Sequence, residues 1–415
     1  MKEVIKHYDV IVIGGGAAGL MAAGRAAERG RGVLLLEKNM KLGQKLAITG
    51  GGRCNVTNAE EDTKELLSHY GRAEQFLYSA FSEFGMKETF EFFESRDLTL
   101  KVEARKRAFP KSEKASDVVR TLVAYAKKGK VDMRLGETVS KIVTATQKIE
   151  KVVTNKGEYS ADAYILATGG VSHPETGSTG DGFNWLRALK HTVVEPTPTI
   201  VPLRAKDSWI NSLAGKVLTG ARITFYAGGK KQFAANGDIL LTHFGLSGPT
   251  ILNSAGRVSD LIHSGTVSAI IDLFPTLDIG ALDAKLLEYF EANKNKLLRN
   301  AAREFLPAGT TDALLALAPN VDPEKKVHSI TKIERRALID TFKSLPVSIT
   351  GLMGYDKAVV ADGGVPLTEI DTRTMRSLKV SNLFVVGDLL HITRPSGGYS
   401  LQLCWTTGYV AGSNA

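Results

Sequence analysis

The stretch "YDVIVIGGGAAGLMAAGRAAERGRGVLLLEK", Tyr8 to Lys38, decides the fold. Tyr8 to Ile13 is an apolar run of the kind a strand buried on both faces requires, and Gly14-x-Gly16-x-x-Gly19 follows at once. An alanine-rich helix then reaches about Arg29, and Val33 to Leu36 reads as the next strand. The whole is a βαβ unit carrying a dinucleotide fingerprint. Gly14 serves the tight turn, Gly16 lets a pyrophosphate reach the first helical N–H groups, and Gly19 lets the helix pack on the strand. Glu37, at the end of the second strand, is placed to accept hydrogen bonds from ribose hydroxyls, and its charge disfavours a 2′-phosphate there.

The fingerprint alone does not separate NAD from FAD, so the far end of the chain has to. "VSNLFVVGDLLHITRPSGGYSLQLCWTTGYVAG", Val380 to Gly412, gives an apolar strand (Asn382 to Val386), Gly387-Asp388, and a Gly397-Gly398 pair opening a helix. An FAD-binding fold closes in this way. Asp388 suits a ribityl hydroxyl or a water at the pyrophosphate, and the helix N-terminus favours the electron-rich edge of a reduced flavin. "SADAYILATGG", Ser160 to Gly170, adds a strand ending in small residues that admit close backbone approach. "ITGGGRCNVTN", Ile48 to Asn58, reads as a loop lying along the cofactor, with Arg53 and Asn55 as donors.

Length and composition bound the rest. A chain of 415 residues, 43% apolar and 23% charged, buries a large core and divides into two or three lobes. No apolar run approaches the length of a membrane span, and the opening lacks a cleavage-site pattern, so neither membrane insertion nor secretion is expected. The two cysteines, Cys54 and Cys404, form no CxxC pair; that argues against a disulfide framework or zinc site and favours the cytoplasm. The eight histidines show no ligand spacing, and no metal is expected. "GLSGP" is not a nucleophile elbow, and no P-loop occurs. Net charge is +9, and between Lys101 and Lys130 ten basic residues face three acids. That stretch is either a polyanion-binding surface or a solvated loop and helix face.

Four segments, "KLGQKLAITGGGRCNVTN", "HPETGSTGDGFNWLRALKH", "LTHFGLSGPTIL" and "GDLLHITRPSGGYSLQ", together resemble the BaiN/RdsA-like group of FAD-dependent oxidoreductases, also labelled aminoacetone-oxidase-like flavoproteins. The resemblance spans essentially the whole chain. It implies an α/β fold with a discontinuous Rossmann-like FAD-binding domain, interrupted by an inserted β-barrel-like part and a helical part. On this sequence the divisions fall at 1–195 and 351–415 for the FAD domain, 196–278 for the β-rich insert and 279–350 for the helical one. Strand-like "GARITFYAGGKKQF" and "GTVSAIIDLF", then helical "ALDAKLLEYFEANKNKLLRNAAREFL" and a capping box at Thr331-x-x-Glu334, agree with that division. The family's C-terminal segment usually reads Gly-Glu-Val-Leu-Asp, where this chain has Gly387-Asp388-Leu389-Leu390-His391; the flavin pocket, and with it the substrate, is where a difference is expected.

The candidate cofactor set is Gly14, Gly16, Ala18, Gly19, Glu37, Lys38, Gly51, Gly52, Arg53, Asn55, Val139, Thr168, Gly169, Gly387, Asp388, Gly397, Gly398 and Tyr399. The resemblance implies hydride transfer from reduced flavin to an activated C=C bond, in a uracil of large-subunit ribosomal RNA or in an enone-type small molecule such as a bile-acid intermediate. Cys54 is the first candidate for the proton donor, with His173 and His243 as alternatives. No second GxGxxG follows a strand, so NAD(P)H is expected as a transient reductant, and an amine oxidase using O₂ stays open. Three readings stand: an RNA uridine reductase served by the basic stretch, a small-molecule flavoenzyme, and a non-catalytic flavin-containing RNA-binding protein.

Overall fold

The computed structural model describes residues 5–415. They form two compact units, one running up to Thr197 and resuming over Val359–Ala415, the other Pro198–Ala358. The chain leaves the first unit after Thr197 and re-enters it at Val359.

The first unit is built on the opening βαβ stretch. Strand β1 (Lys6–Ile13) pairs in parallel with β2 (Val33–Glu37) on one side and with Glu158–Leu166 on the other. Asp132–Leu135 extends the parallel sheet beyond β2, and Leu383–Val385 joins Glu158–Leu166 from the far end of the sequence. An antiparallel meander, Val139–Ala145 and Lys148–Thr154, is attached to Glu158–Leu166. Residues Val10 to Val12 and Leu34 to Leu35 are wholly buried, as a parallel sheet covered on both faces demands.

Two helices cover one another rather than water. Helix α1 (Ala17–Glu28) packs along the last helix (Tyr399–Asn414) with almost no side chain between them. A Cβ on Gly408 would stand 2.4 Å from the Ala18 carbonyl oxygen, and one on Gly412 2.5 Å from that of Ala22. Those two contacts, four residues apart on each helix, make the pair parallel and fix its register.

The second unit holds a closed antiparallel barrel of six strands: Leu203–Ala205, Gly245–Ser247, Lys230–Thr242, Val217–Ala227, Val267–Asp272 and Leu345–Leu352. Its core includes Ile223, Phe225, Ile239, Leu241 and Ile271, all wholly buried. Helices Ile279–Ala292 and Lys332–Lys343 follow, and the second starts with the capping box at Thr331 and Glu334. The fold class expected from sequence, a Rossmann-like domain with a barrel-and-helix insert, is the one observed. Two details differ. The closing barrel strand, Leu345–Leu352, lies past the helices, so no single cut separates a β part from a helical part. A 16-residue helix, Pro249–Ser264, also stands inside the segment read as β-rich. No helix among the described residues is long and apolar enough to cross a membrane.

Candidate active site

The loops that follow three neighbouring parallel strands supply the site, at the edge where ligands bind in open α/β sheets. After β1 the chain turns at Gly14 (φ 108°), where a Cβ would meet the Ala167 carbonyl oxygen at 2.4 Å; a Cβ at Gly19 would overlap the Gly14 carbonyl outright. In front of Gly16, by contrast, nothing stands within 4 Å of where a Cβ would be. The backbone is bare there and faces open space.

Both helices that start at this edge lack a side-chain cap. Neither Gly16, preceding α1, nor Gly398, preceding the last helix, offers a side-chain acceptor, and neither first turn carries an acid. Their N-terminal N–H groups are therefore available to an anion or an electron-rich ring. The register set by Gly408 against Ala18 starts the last helix about eight residues before α1, so its N-terminus projects about 12 Å beyond that of α1, measured along the shared axis. Two separated electropositive points fit an extended dinucleotide, with its pyrophosphate at one and its ring system at the other.

Glu37 is buried and braced: Oε2 accepts from Gly15 N at 2.7 Å and Oε1 from Asn39 N at 2.8 Å. Each oxygen keeps a second acceptor site. The segment leading to Val139 joins the same corner, Glu137 N donating to the Glu37 carbonyl at 3.0 Å, and Val139 itself is buried in the meander. Lys38 is tied across to Asp181 (2.7 Å) and Thr179 (2.6 Å). Ala18 is buried under the fingerprint turn, while Thr168 presents a buried Oγ1 with no partner in the protein, next to Gly169 (φ 73°).

The glycine loop, Thr49–Gly52, has Gly50, Gly51 and Gly52 in the left-handed region, with open space where the Cβ of Gly51 and Gly52 would be. Arg53 is engaged within the protein, while its Nε is buried without a partner. Its Nη2 pairs with Glu103 and with Glu113 (3.2 Å), and its guanidinium stacks on Phe109 at 4.2 Å. Asn55 keeps a buried Oδ1 without a protein partner. Cys54, the first candidate for the proton donor, is wholly buried in the core. Burial pushes its thiol up to about 12, Thr49 opposing only in part.

His173 is placed quite differently. It is partly exposed and adopts the left-handed conformation (φ 54°), which is costly for a non-glycine residue and recurs at functional sites. Its carbonyl accepts from Thr176 N and Oγ1, and its Nδ1 lies 2.8 Å from Glu175 Oε1. A carboxylate so placed selects the tautomer and aims the other ring nitrogen. His243 sits in the exposed turn Thr242–Gly245 of the barrel unit, against Phe244.

Asp388, after Gly387 (φ 64°), lies in a cluster that sequence reading missed. Lys45 Nζ stands 3.1 Å from its Oδ2, and Arg394 Nη2 is bonded to its Oδ1. Burial works against the carboxylate's charge, but Lys45 and Arg394 outweigh it and hold the group at about 2. Lys45 was visible in "KLGQKLAITGGG", but nothing local marks its partner 343 residues away. Gly398 is pressed on the chain at Thr57, where a Cβ would come within 2.3 Å of the carbonyl carbon, and Asn58 Nδ2 donates to Gly397 O at 3.2 Å. Tyr399 is buried with its ring against His69 (4.7 Å); burial, then Glu60 and Glu65, push its hydroxyl up to about 12.

The basic residues between Lys101 and Lys130 do not form one surface. Lys101 pairs with Glu113 and Glu103, Lys106 with Glu60 and Arg120 with Asp117. The tip Arg105–Arg107 is joined to the site, since Asn58 Nδ2 also donates to the Arg105 carbonyl. Lys127, Lys128 and Lys130 lie instead where Gly129 abuts Ala27, at the other end of α1 and about 18 Å from the fingerprint turn. Among the described residues no three His, Cys, Asp or Glu side chains converge to hold a metal.

A protein of Clostridium scindens named 3-dehydro-bile acid delta(4,6)-reductase is 29% identical over 413 residues, covering 97% of this chain and 98% of its own. A ribosomal RNA dihydrouridine synthase of Escherichia coli is 28% identical over 408 residues, covering 98% and 97%. Among solved structures, the 3-ketosteroid-delta4-(5alpha)-dehydrogenase of Rhodococcus jostii RHA1 is similar in fold, with a TM-score of 0.55 at 16% identity over 100% of this chain and 98% of that one. The family model described as HI0933-like protein Rossmann domain matches residues 8–414. With its fingerprint turn, its discontinuous parallel sheet and that match, the chain belongs to the HI0933-like Rossmann family of FAD-dependent oxidoreductases.

Proposed function

We propose that this protein binds FAD along the C-terminal edge of its parallel sheet and reduces an activated C=C bond, the substrate being a uracil in ribosomal RNA. The observation that carries the cofactor reading is the pair of uncapped helix N-termini, staggered by about 12 Å along their shared axis, together with bare glycine backbone at Gly16, Gly51 and Gly52. Glu37 would hold the adenosine ribose, α1 the pyrophosphate, and the last helix the flavin. When bound, FAD supplies hydride chemistry, accepting two electrons from a transient NAD(P)H donor and passing them to an electron-poor carbon.

The protein's own part is to position and protonate. His173, aimed by Glu175, delivers the proton to the carbon next to the one that receives hydride. The uracil must leave its stack to reach the site, so single-stranded or looped RNA is the expected form. The Arg105–Arg107 tip, braced through Asn58 to Gly397, is the part of the basic stretch near enough to contact the backbone of such a strand. That the E. coli relative is named a ribosomal RNA dihydrouridine synthase supports this substrate.

A second reading has its own support. The acid partners of Lys101, Lys106 and Arg120, and the closeness of Glu60, Glu61 and Glu65 to Lys106, weaken the field a polyanion would meet. The C. scindens relative is named for a small steroid-like substrate. Mass spectrometry of ribosomal RNA from cells lacking this protein separates the two. Loss of one reduced uridine, restored by the wild-type gene, supports the RNA reading. Unchanged RNA transfers the proposal to an enone-type small molecule.

A further inference from the structure

The Lys45–Asp388–Arg394 cluster contains two cations and one anion, and nothing in the hydride-transfer reading uses the excess charge. Arg394 is bound into the protein on all sides: its side chain is 1% exposed, Nη1 donates to Ile392 O at 2.7 Å, and Nε donates to Ser400 Oγ at 3.1 Å. It neutralises Asp388 and ties the pair to the first turn of the last helix, where Ser400 lies. Lys45 is then the surplus charge. It reaches Asp388 from the helix Gln44–Ile48 just before the glycine loop, passes within 3.4 Å of Ser172 Oγ, and would lie 3.6 Å from a Cβ at Gly169. One ammonium thus links the helix that leads into the glycine loop with Gly169, Ser172 and Asp388.

We infer that Lys45 is a positioning residue for charge: together with the uncapped helix N-terminus it stabilises the reduced flavin as its anion and so sets the cofactor's reduction potential. The inference rests on the flavin reading above. In the step concerned, oxidised flavin takes up two electrons and one proton, and the negative charge that develops on the ring is met by the surplus positive charge rather than by a second proton.

Two measurements on the FAD-loaded protein test it. The first needs no variant: sulfite, which adds through its own electron pair to oxidised flavin and leaves the ring anionic, should bind reversibly to the wild type and bleach its visible band. The second is equilibrium titration of the flavin against a dye of known potential, reduced by dithionite. Lys45→Met should disfavour the reduced form by tenfold or more, a shift of about 30 mV to lower potential, and Lys45→Arg should restore most of it. Wild-type protein that holds FAD but forms no sulfite adduct, or a Lys45→Met potential equal to that of the wild type, overturns the inference. Wild-type protein that holds no FAD overturns the flavin reading itself.

Discussion

Replacing Gln402 by Leu tests how the glycine loop is held to the last helix. Gln402 is wholly buried in that helix. Its Oε1 accepts from the hydroxyls of Thr57 (2.6 Å) and Thr89 (3.1 Å), and its Nε2 donates to Thr406 Oγ1 at 3.1 Å. Thr57 is the residue against which Gly398 is pressed, so the amide fixes the loop relative to the helix N-terminus. Leu fills much of the same space and deletes all three bonds. Thr89 keeps its bond to Gly85 O (2.8 Å), but Thr57 is left with Asn58 O at a poor 3.3 Å. At about 1 kcal/mol net per bond, with one donor still satisfied, the expected loss is about 2 kcal/mol. For a unit of this size that lowers Tm by roughly 4–8 °C. Thermal unfolding of the FAD-loaded protein is the assay, with Thr57→Val as the companion change. Removing both partners leaves no unpaired donor, so the double variant should lose less than the sum of the singles by about 1 kcal/mol. A Gln402→Leu shift below about 1 °C, or strict additivity, refutes the account of this network.

Gly16→Val should leave the cofactor-free fold intact, since Gly16 has φ −84° and nothing stands within 4 Å of a Cβ there; flavin content should nevertheless collapse, as visible absorbance of the purified protein would report. His173→Ala and Glu175→Gln should lower kcat, the first by about 10²–10⁴-fold, while flavin content is kept; equal rates in all three proteins would remove His173 from the chemistry. His191, buried between Glu369 and Ser377 at 2.9 Å each, has its pKa lowered by burial, Glu369 opposing in part. The unfolded chain therefore binds that proton more readily, and stability should fall as pH drops below about 6.5. Glu369, held at about 2 by Lys379, Thr192 and His191 despite burial, adds a further loss from about 4.5 downward. Denaturant midpoints across this range, with His191→Asn abolishing the upper part of the slope, check both signs. Arg105→Glu with Arg107→Glu should weaken binding of single-stranded ribosomal RNA and flatten its salt dependence by about 0.7 per lost phosphate contact; unaltered binding favours the small-molecule reading.

The parts of the fold legible in the sequence are those set by local sterics. The fingerprint glycines, the apolar runs of β1 and β2 and the capping box at Thr331 announce themselves within a few residues, because each satisfies a rule about neighbouring backbone. The site's electrostatics could not be read the same way. Arg53, read as a cofactor donor, is paired with Glu103 and Glu113, 50 and 60 residues further on. Cys54 sits in a loop with three exposed glycines, yet it is wholly buried. The helix Pro249–Ser264 did carry a local signal, a proline in its first turn after Gly248, which the glycine-rich motif around it masked. The His191–Ser377–Glu369 chain shows the reverse hazard. Its donor order resembles a hydrolase triad, but His191 and Ser377 are buried at 4% exposure each, and Ser377 Oγ already accepts from Lys379 N and Val380 N. It is a structural brace.

The account's central claim is that reduced flavin in this protein passes hydride to an activated C=C bond. The direct measurement is anaerobic mixing of the reduced, FAD-loaded protein with ribosomal RNA lacking the modification, and separately with a cyclic enone. The visible flavin band should return with one of them, in proportion to a product heavier by one dihydrogen. A flavin that stays reduced with both and reoxidises only when O₂ is admitted would contradict it and make the protein an oxidase.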